Sequence, residues 1–584
     1  MEDKNEKRIC QNCKQDFTIE PDDFSFYEKM KVPAPTFCPE CRFVRRLNSR
    51  NERSLFKTIC GLCNKSTITM YNPVAGYIVY CSSCYQSDAW DPLSYGKEYD
   101  FSRPFFEQYR DLLQIVPKRA VHGINPGRNT EYSNYIFNST DVFLAYSVVR
   151  SEGIYHSRGV DISKQCIDCT NIKECESCYQ IVQGTRNYGS KFLVDSRDCI
   201  DSQYLYDCAN CSSCFMSSNL RNKQYVYKGE QLTKEVYQEA IKKYNIGSFK
   251  VKTQLMAEFK ELIENKTIHR FARIFKSVDS TGDYIENSKS VKKSFEVFEA
   301  ENAKYGWRLT DGPTDMYDVA GSGKSELLYE AVGAAWGSRN SSFFIVGNAT
   351  IDSSYCDYCL NVSNIFGSVS LRNVQYVILN KQYTKEEYEI LIPKIIEHMK
   401  TMPYIDQKER IYSYGEFFPQ ICVAHAYNES LAQEYFPLSK EEVISRGYLW
   451  RDPEIKNNQS TIAVQGIPDS IEDIPDDFIK EAIECMHNSV ACDHQCTKAF
   501  RLNSDELVYL KKWNLPIPRL CPNCRHCERL DFRTPAKLWH RSCMCDLKGH
   551  FHGDGHCEVE FETSYAPERP EKVYCERCYQ AEVL

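Results

Sequence analysis

The sequence predicts a mixed, β-rich chain in which paired cysteine modules at both ends flank two duplicated parallel β-solenoid segments, each followed by a helix. Three observations predict it. Cys-x-x-Cys pairs gather at the two termini with matching spacings. A phrase containing Leu-Arg-Asn-x-Gln-Tyr-Val occurs twice in the middle. Upstream of each occurrence, short apolar pieces alternate with Asn, Asp, Ser and Gly, the punctuation of strands joined by tight turns.

The bulk numbers set the frame. The chain has 584 residues, 42% hydrophobic and 26% charged, an ordinary globular balance spread over several domains. A net charge of −8 argues against a uniformly basic wrapper of nucleic acid but leaves room for local basic patches. The start, MEDKNEKRICQNC, has no apolar signal core, and no run of about 18 apolar residues occurs, so a cytosolic chain without a membrane span is expected. In a reducing cytosol, 30 cysteines in close pairs point to metal rather than to disulfides.

The first element, 1–100, carries Cys10 and Cys13, Cys38 and Cys41, Cys60 and Cys63, Cys81 and Cys84. Each pair is a knuckle presenting two thiolates, and two knuckles complete a tetrahedral sulfur site for zinc. The last element, 481–584, repeats the plan. The step of 25 positions from Cys13 to Cys38 recurs from Cys496 to Cys521, and that of 18 from Cys63 to Cys81 recurs from Cys557 to Cys575. Val32-Pro33-Ala34-Pro35 answers to Leu515-Pro516-Ile517-Pro518, and Tyr71-Asn72-Pro73 to Tyr565-Ala566-Pro567. The expected C-terminal quartets are Cys492, Cys496, Cys521 and Cys524, then Cys543, Cys557, Cys575 and Cys578, with Cys545 a rival for Cys543. An insert holding His550, His552 and His556 separates Cys543 from Cys557 and offers further ligands. Cys485 and Cys422 read as unpaired and buried. Four-thiolate sites have no open position, so about four structural zinc ions are expected. They would stabilise half-modules too short for a core of their own.

The run CQNCKQDFTIEPDDFSFYEKMKVPAPTFCPECRFVRR resembles a treble-clef zinc-ribbon family of bacterial proteins through Cys10, Cys13, Phe17, Phe26, Tyr27, Lys29, Pro35, Cys38, Cys41 and Arg42. The C-terminal copy matches less closely, with Tyr509 and Leu510 in place of Phe-Tyr. The whole chain is similar to uncharacterised bacterial zinc-ribbon proteins through SLRNVQYVILNKQYTKEEY, YGEFFPQ, YNESLAQEYFPLSKEE and FETSYAPERPE. It departs from them at FGSVSLRN, where two cysteines are missing. The resemblance implies zinc-ribbon or treble-clef modules at both termini and carries no known activity.

Between the modules, the expected elements are a first solenoid segment with a helical cap (101–230), a helix and linker (231–285), a second solenoid segment (286–382), and a helix with a connector (383–480). Pieces such as DISKQCIDC and TNIKECESC suggest coils of about 20 residues. Phe105–Val116 suits a cap over one open end. Thr233 and Thr384 are helix N-caps, and Glu387 completes a capping box with Thr384. Cys166, Cys169, Cys175 and Cys178, and Cys199, Cys208, Cys211 and Cys214, read either as two more zinc sites or as a ladder of buried thiols. Gly321-Ser322-Gly323-Lys324-Ser325 imitates a phosphate-binding loop but lacks its first glycine, because Asp318 stands there.

The helix expected after Cys38 carries Arg42, Arg45, Arg46 and Arg50, and the C-terminal copy carries Arg525, Arg529 and Arg533. Two basic faces on an acidic protein suit a phosphate grip. The sequence therefore leads to a zinc-stabilised cytosolic binding scaffold, contacting RNA or a ribonucleoprotein through these arginines, and without catalysis. The competing readings are a protein–protein assembly platform and a glycan-active enzyme using Asp161, Asp168, Asp195, Asp198 or Asp201.

Overall fold

From Tyr135 to Lys228, and again from Lys276 to Asn380, roughly every third residue takes a left-handed backbone conformation; Ser147 (φ 58°), Arg150 (φ 49°) and Gln165 (φ 50°) are typical. Three-residue edges between such corners bring residue i beside residue i+12 in parallel. Tyr146 pairs with Arg158, Thr170 with Val182, and Gln203 with Phe215. The computed structural model, which describes residues 5–130, 132–453, 458–488, 492 and 494–584, thus holds two long parallel ladders. One sheet of 11 strands runs from Gly123 to Gln231 and another of 15 from Ile274 to Gln382. Twelve α-helices are present among the described residues.

Small polar side chains occupy corresponding positions along each ladder. The Ser151 amide donates to Ser139 Oγ, that of Ser163 to Ser151 Oγ, and that of Cys175 to Ser163 Oγ, each at 3.0 Å. A hydroxyl there satisfies a backbone donor that the interior would otherwise strand. The eight cysteines from Cys166 to Cys214 are buried in the same interior. Their thiols donate to main-chain carbonyls, as Cys166 does to Lys164 (3.3 Å) and Cys178 to Glu176 (3.4 Å). The pairing interval of twelve residues corrects the expected interval of about 20. Turning every third residue keeps most strands of the first ladder at four residues, a little below the usual five or six. The false phosphate loop lies on this framework, with Ala320–Gly323 as a parallel strand.

A helix leaves each ladder. Lys234–Lys242 is capped by Thr233 and Lys385–Thr401 by Thr384, where both bonds of a capping box with Glu387 are present. A second pair of helices crosses over. Phe105–Ile115 precedes the first ladder but packs on the second, with Phe105 5.2 Å from Tyr355 and 5.3 Å from Phe366, ring centre to ring centre. Phe249–Glu261 precedes the second ladder but packs on the first, with Phe259 5.8 Å from Tyr204. The expectation that Phe105–Val116 closes its own neighbouring segment is corrected accordingly: its aromatic face finds its apolar surface on the other ladder.

Candidate metal centres and arginine clamps

Four copies of one local design hold the terminal cysteines. Each is a two-stranded antiparallel hairpin followed by a helix: Glu6–Ile9 with Asp16–Ile19, Phe56–Ile59 with Ser66–Thr69, Ile483–Glu484 with Ala499–Phe500, and Trp539–Ser542 with Glu560–Thr563. The first cysteine directly follows the first strand. The third is the N-cap of a helix, at Cys38, Cys81, Cys521 and Cys575. In every copy the amide of the third cysteine donates to the sulfur of the first, at 3.2–3.3 Å. The positive end of the helix faces the sulfurs and favours thiolates.

These elements bring together Cys10, Cys13, Cys38 and Cys41; Cys60, Cys63, Cys81 and Cys84; Cys485, Cys496, Cys521 and Cys524; and Cys543, Cys557, Cys575 and Cys578. Sulfur–sulfur distances are 3.7 Å for Cys13–Cys38, 3.6 Å for Cys521–Cys524, 3.9 Å for Cys496–Cys521 and 4.0 Å for Cys557–Cys575. A tetrahedron with zinc–sulfur bonds of about 2.3 Å has edges of about 3.8 Å. The donor set and its size therefore fit a zinc ion. In the first quartet, bonds from Cys38 and Cys41 stabilise the Cys10 thiolate, whereas hydrogen bonding to that thiolate pushes Cys38 up to about 12. A divalent cation relieves this competition by holding all four as thiolates.

The third quartet corrects the sequence reading. Cys485, expected to be unpaired, takes the place given to Cys492. The reason is the hairpin: Cys485 follows Glu484 as Cys10 follows Ile9, whereas Cys492 lies in the turn between the strands. The missed signal is a cysteine at the end of a short strand-forming piece, displaced from its partner Cys496 by an insert. Cys543, rather than Cys545, completes the fourth quartet.

The arginines expected to meet nucleic acid point into the protein. Arg42, Arg45, Arg46, Arg50, Arg525 and Arg529 are all at most 5% exposed. From the helix Pro39–Asn48, Arg42 and Arg46 grip Asp318 at 2.9 and 2.8 Å, and Arg45 joins Glu330 (2.7 Å) and Glu416 (3.1 Å). From the helix Pro522–Leu530, Arg525 and Arg529 grip Asp168, each at 2.6 Å. Arg533 is part-buried over the Tyr435 ring, 4.5 Å from its centre, and donates to its hydroxyl at 2.7 Å. The surface grip assigned to these residues is thereby corrected: three of the acids that neutralise them, Asp318, Glu330 and Asp168, come from the ladders, hundreds of positions away. Asp318 and Glu330 occupy ladder corners twelve residues apart, and Asp168 a corner of the other ladder. Gly321 and Gly333, also twelve apart, leave room for Arg50; a Cβ at Gly321 would lie 2.4 Å from its guanidinium.

Glu52 joins these parts. It binds Arg50 at 2.7 Å and Arg158, from the first ladder, at 2.8 Å, with Arg308 of the second ladder 4.0 Å away. Burial alone would raise its pKa, but the guanidiniums outweigh it and hold the carboxylate at about 2. Glu330 has the opposite balance, and burial raises it to about 7. The terminal modules also touch each other, through Arg53 and Asn523 (2.9 Å).

Four of the five acids considered for glycan chemistry are held in ion pairs, and two of these, Asp161 and Asp195, line one cleft. Asp168 is a clamp residue, Asp161 pairs with Arg150 (2.8 Å), Asp195 with Arg273 (2.9 Å), and Asp198 with Arg186 (2.7 Å). The cleft opens between the ladders, lined further by Lys173, Arg197, Asp207 and Arg221 from the first and by Phe275, Glu286, Glu296 and Phe298 from the second.

Comparison with protein-family models and with curated proteins found no match. Fold and site define a β-rich protein with cysteine clusters at both ends that are able to hold metal ions. Among the described residues no helix is long and apolar enough to cross a membrane.

Proposed function

We propose that the chain is a zinc-stabilised cytosolic binding scaffold. In this reading the two ladders are β-solenoids with twelve-residue coils, and the terminal modules are zinc ribbons of treble-clef type that lock them side by side. The observation that carries the reading is the crossed pair of clamps, Arg42 and Arg46 on Asp318, Arg525 and Arg529 on Asp168. Buried ion pairs of this kind fix geometry more than they add stability, which suits a part whose task is to hold a surface in place.

The surface so held is the cleft between the ladders. It combines guanidinium and ammonium groups with carboxylates (Asp161, Asp195, Asp207, Glu286 and Glu296) and aromatic faces, as where Arg197 lies 4.4 Å above the Phe275 ring. Such a mixture suits a polar, chain-like ligand, with single-stranded RNA the first candidate because its phosphates and bases call for both kinds of contact. This moves the RNA contact from the buried arginines to other cations. Binding of a mixed-sequence RNA pool by the full chain, followed by fluorescence anisotropy at low and moderate salt, tests it. Salt-sensitive binding that weakens at least tenfold in an Arg197→Glu/Phe275→Ala variant supports the reading. No binding, or binding indifferent to both substitutions, overturns the cleft and the nucleic-acid role together.

A further inference from the structure

The C-terminal knuckles contain more metal-binding chemistry than their quartets use. In the third hairpin the turn runs from Cys485 to Cys496 and holds His487, Cys492 and His494. In the fourth it runs from Cys543 to Cys557 and holds Cys545, His550 and His552. The two turns share a spacing. Counting from the first quartet cysteine, potential ligands fall two, seven and nine positions on: His487, Cys492 and His494 after Cys485; Cys545, His550 and His552 after Cys543. Each trio has one cysteine and two histidines. The N-terminal knuckles, Cys10–Cys13 and Cys60–Cys63, have no such insert.

The geometry draws the first trio, and Cys545 of the second, towards the last cysteine of the quartet. His487, Cys492, His494 and Cys524 have ligand atoms all within 4.8 Å of one another. Cys492 Sγ lies 3.8 Å from Cys524 Sγ and 3.5 Å from His487 Nδ1. Tetrahedral zinc with bonds of about 2.3 Å to sulfur and about 2.0–2.1 Å to nitrogen has edges of about 3.8 and 3.6 Å for those pairs. In the fourth module Cys545 Sγ is likewise 3.5 Å from His550 Nδ1, and Cys545 lies within reach of Cys578. Both ring nitrogens of His552 and Nδ1 of His494 are shielded from solvent without a hydrogen-bond partner. His550 turns its other nitrogen, Nε2, to Glu582 at 2.8 Å. That is the arrangement by which a carboxylate orients a metal-ligating histidine.

Charge favours the same conclusion. A zinc ion in four thiolates carries a net charge of −2. Adding the fifth thiolate, two neutral imidazoles and a second divalent ion leaves −1, so the second ion eases the burial of the first site.

We propose that each C-terminal knuckle binds a second zinc ion through its His2Cys trio, and that Cys524 and Cys578 are thiolates shared between two metals. The chain then carries six ions, two more than its four quartets account for. Both added sites are closed by the shared thiolate and serve to shape the inserted turns.

Metal counting on the intact, folded chain tests this. The protein is loaded with excess Zn2+, desalted, and examined by native mass spectrometry and elemental analysis. Six ions in the wild type, and five each in His487→Ala/His494→Ala and His550→Ala/His552→Ala, are expected. Four in the wild type, or six that survive both double substitutions, would overturn the proposal. Cobalt substitution of the wild type decides the matter even where a variant misfolds. Mixed sulfur–nitrogen coordination should account for one third of the bound cobalt, and purely thiolate spectra contradict it. A count of four leaves the quartets and the scaffold reading standing, so the two ideas fail separately.

Discussion

Where the N-terminal knuckle joins Cys10 to Cys13 through a tight turn, its C-terminal counterpart travels from Cys485 to Cys496 before closing. Yet the helix that follows does the same work in both. In one copy Arg42 and Arg46 meet on Asp318, in the other Arg525 and Arg529 meet on Asp168, and each aspartate belongs to a ladder corner. The second half of each module also behaves alike. Val79–Tyr80 pairs in parallel with Lys118–Arg119 at the entrance to the first ladder, and Lys572–Tyr574 with Ile268–Arg270 at the entrance to the second. Each terminal module therefore grips one ladder with the helix that starts at Cys38 or Cys521 and opens the other with its last strand. The comparison teaches that the helix and its arginines are the conserved working part, while the knuckle tolerates insertion so long as its two ends still meet.

Removing metal should break the likeness most severely, because a structural zinc site supplies apparent folding free energy on the order of 10–16 kcal/mol in small modules. Chelation should unfold both ends, with limited proteolysis reporting cleavage near both termini. Survival of one end would show that its module is held by packing alone. Next in size are the clamps. Asp318→Asn and Asp168→Asn each leave two buried guanidiniums short of a charge and should cost about 3–5 kcal/mol in urea unfolding. Equal losses would support equal roles, and a loss under about 1 kcal/mol at either site would remove it from the comparison.

Acid should separate the two ends more gently. His425 stacks on Tyr71 of the N-terminal module, and His269 hydrogen-bonds to its counterpart Tyr565. Burial lowers His425 to about 3 and His269 to about 4. The unfolded chain protonates both near 6.5 while the folded chain does not. Their contribution is thus complete above pH 6.5 and is lost as pH falls towards 3–4, at roughly 1 kcal/mol per pH unit for each histidine. Unfolding curves at pH 7 and 5.5 should show a shallower pH dependence in His425→Gln than in the wild type; an identical slope would refute the assignment. The smallest difference lies in the ladder-exit helices. Thr384→Ala should cost about 1 kcal/mol, and Thr233→Ala somewhat less because no Glu completes its box.

Much of this was readable from the chain, for identifiable reasons. Cysteine spacing carries through duplication, so 15 of the 16 expected terminal ligands fall in the quartets. The sixteenth, Cys492, falls instead in the neighbouring group with His487, His494 and Cys524, and Cys485 was overlooked because an insert moved it out of the Cys-x-x-Cys pattern. The helix caps were legible because capping is local. The pairing interval was hidden because corners recur every third residue, which neither a helical nor an alternating pattern resembles. Ser139, Ser151, Ser163 and Cys175, each twelve on from the last, were the available clue. The fate of the arginines was not legible at all. A cluster such as Arg42, Arg45 and Arg46 looks the same whether it faces solvent or an aspartate 276 positions away.

Crossed gripping has a consequence for how the protein is made. The ribosome delivers the first cysteine module long before the ladder that neutralises its arginines, and the first ladder long before the module that bolts it. Neither half can mature as an autonomous unit while synthesis is under way. Final locking must wait for the helix Pro522–Leu530 and the strand Lys572–Tyr574 to emerge, and deletion of either cysteine module should disable both ladders.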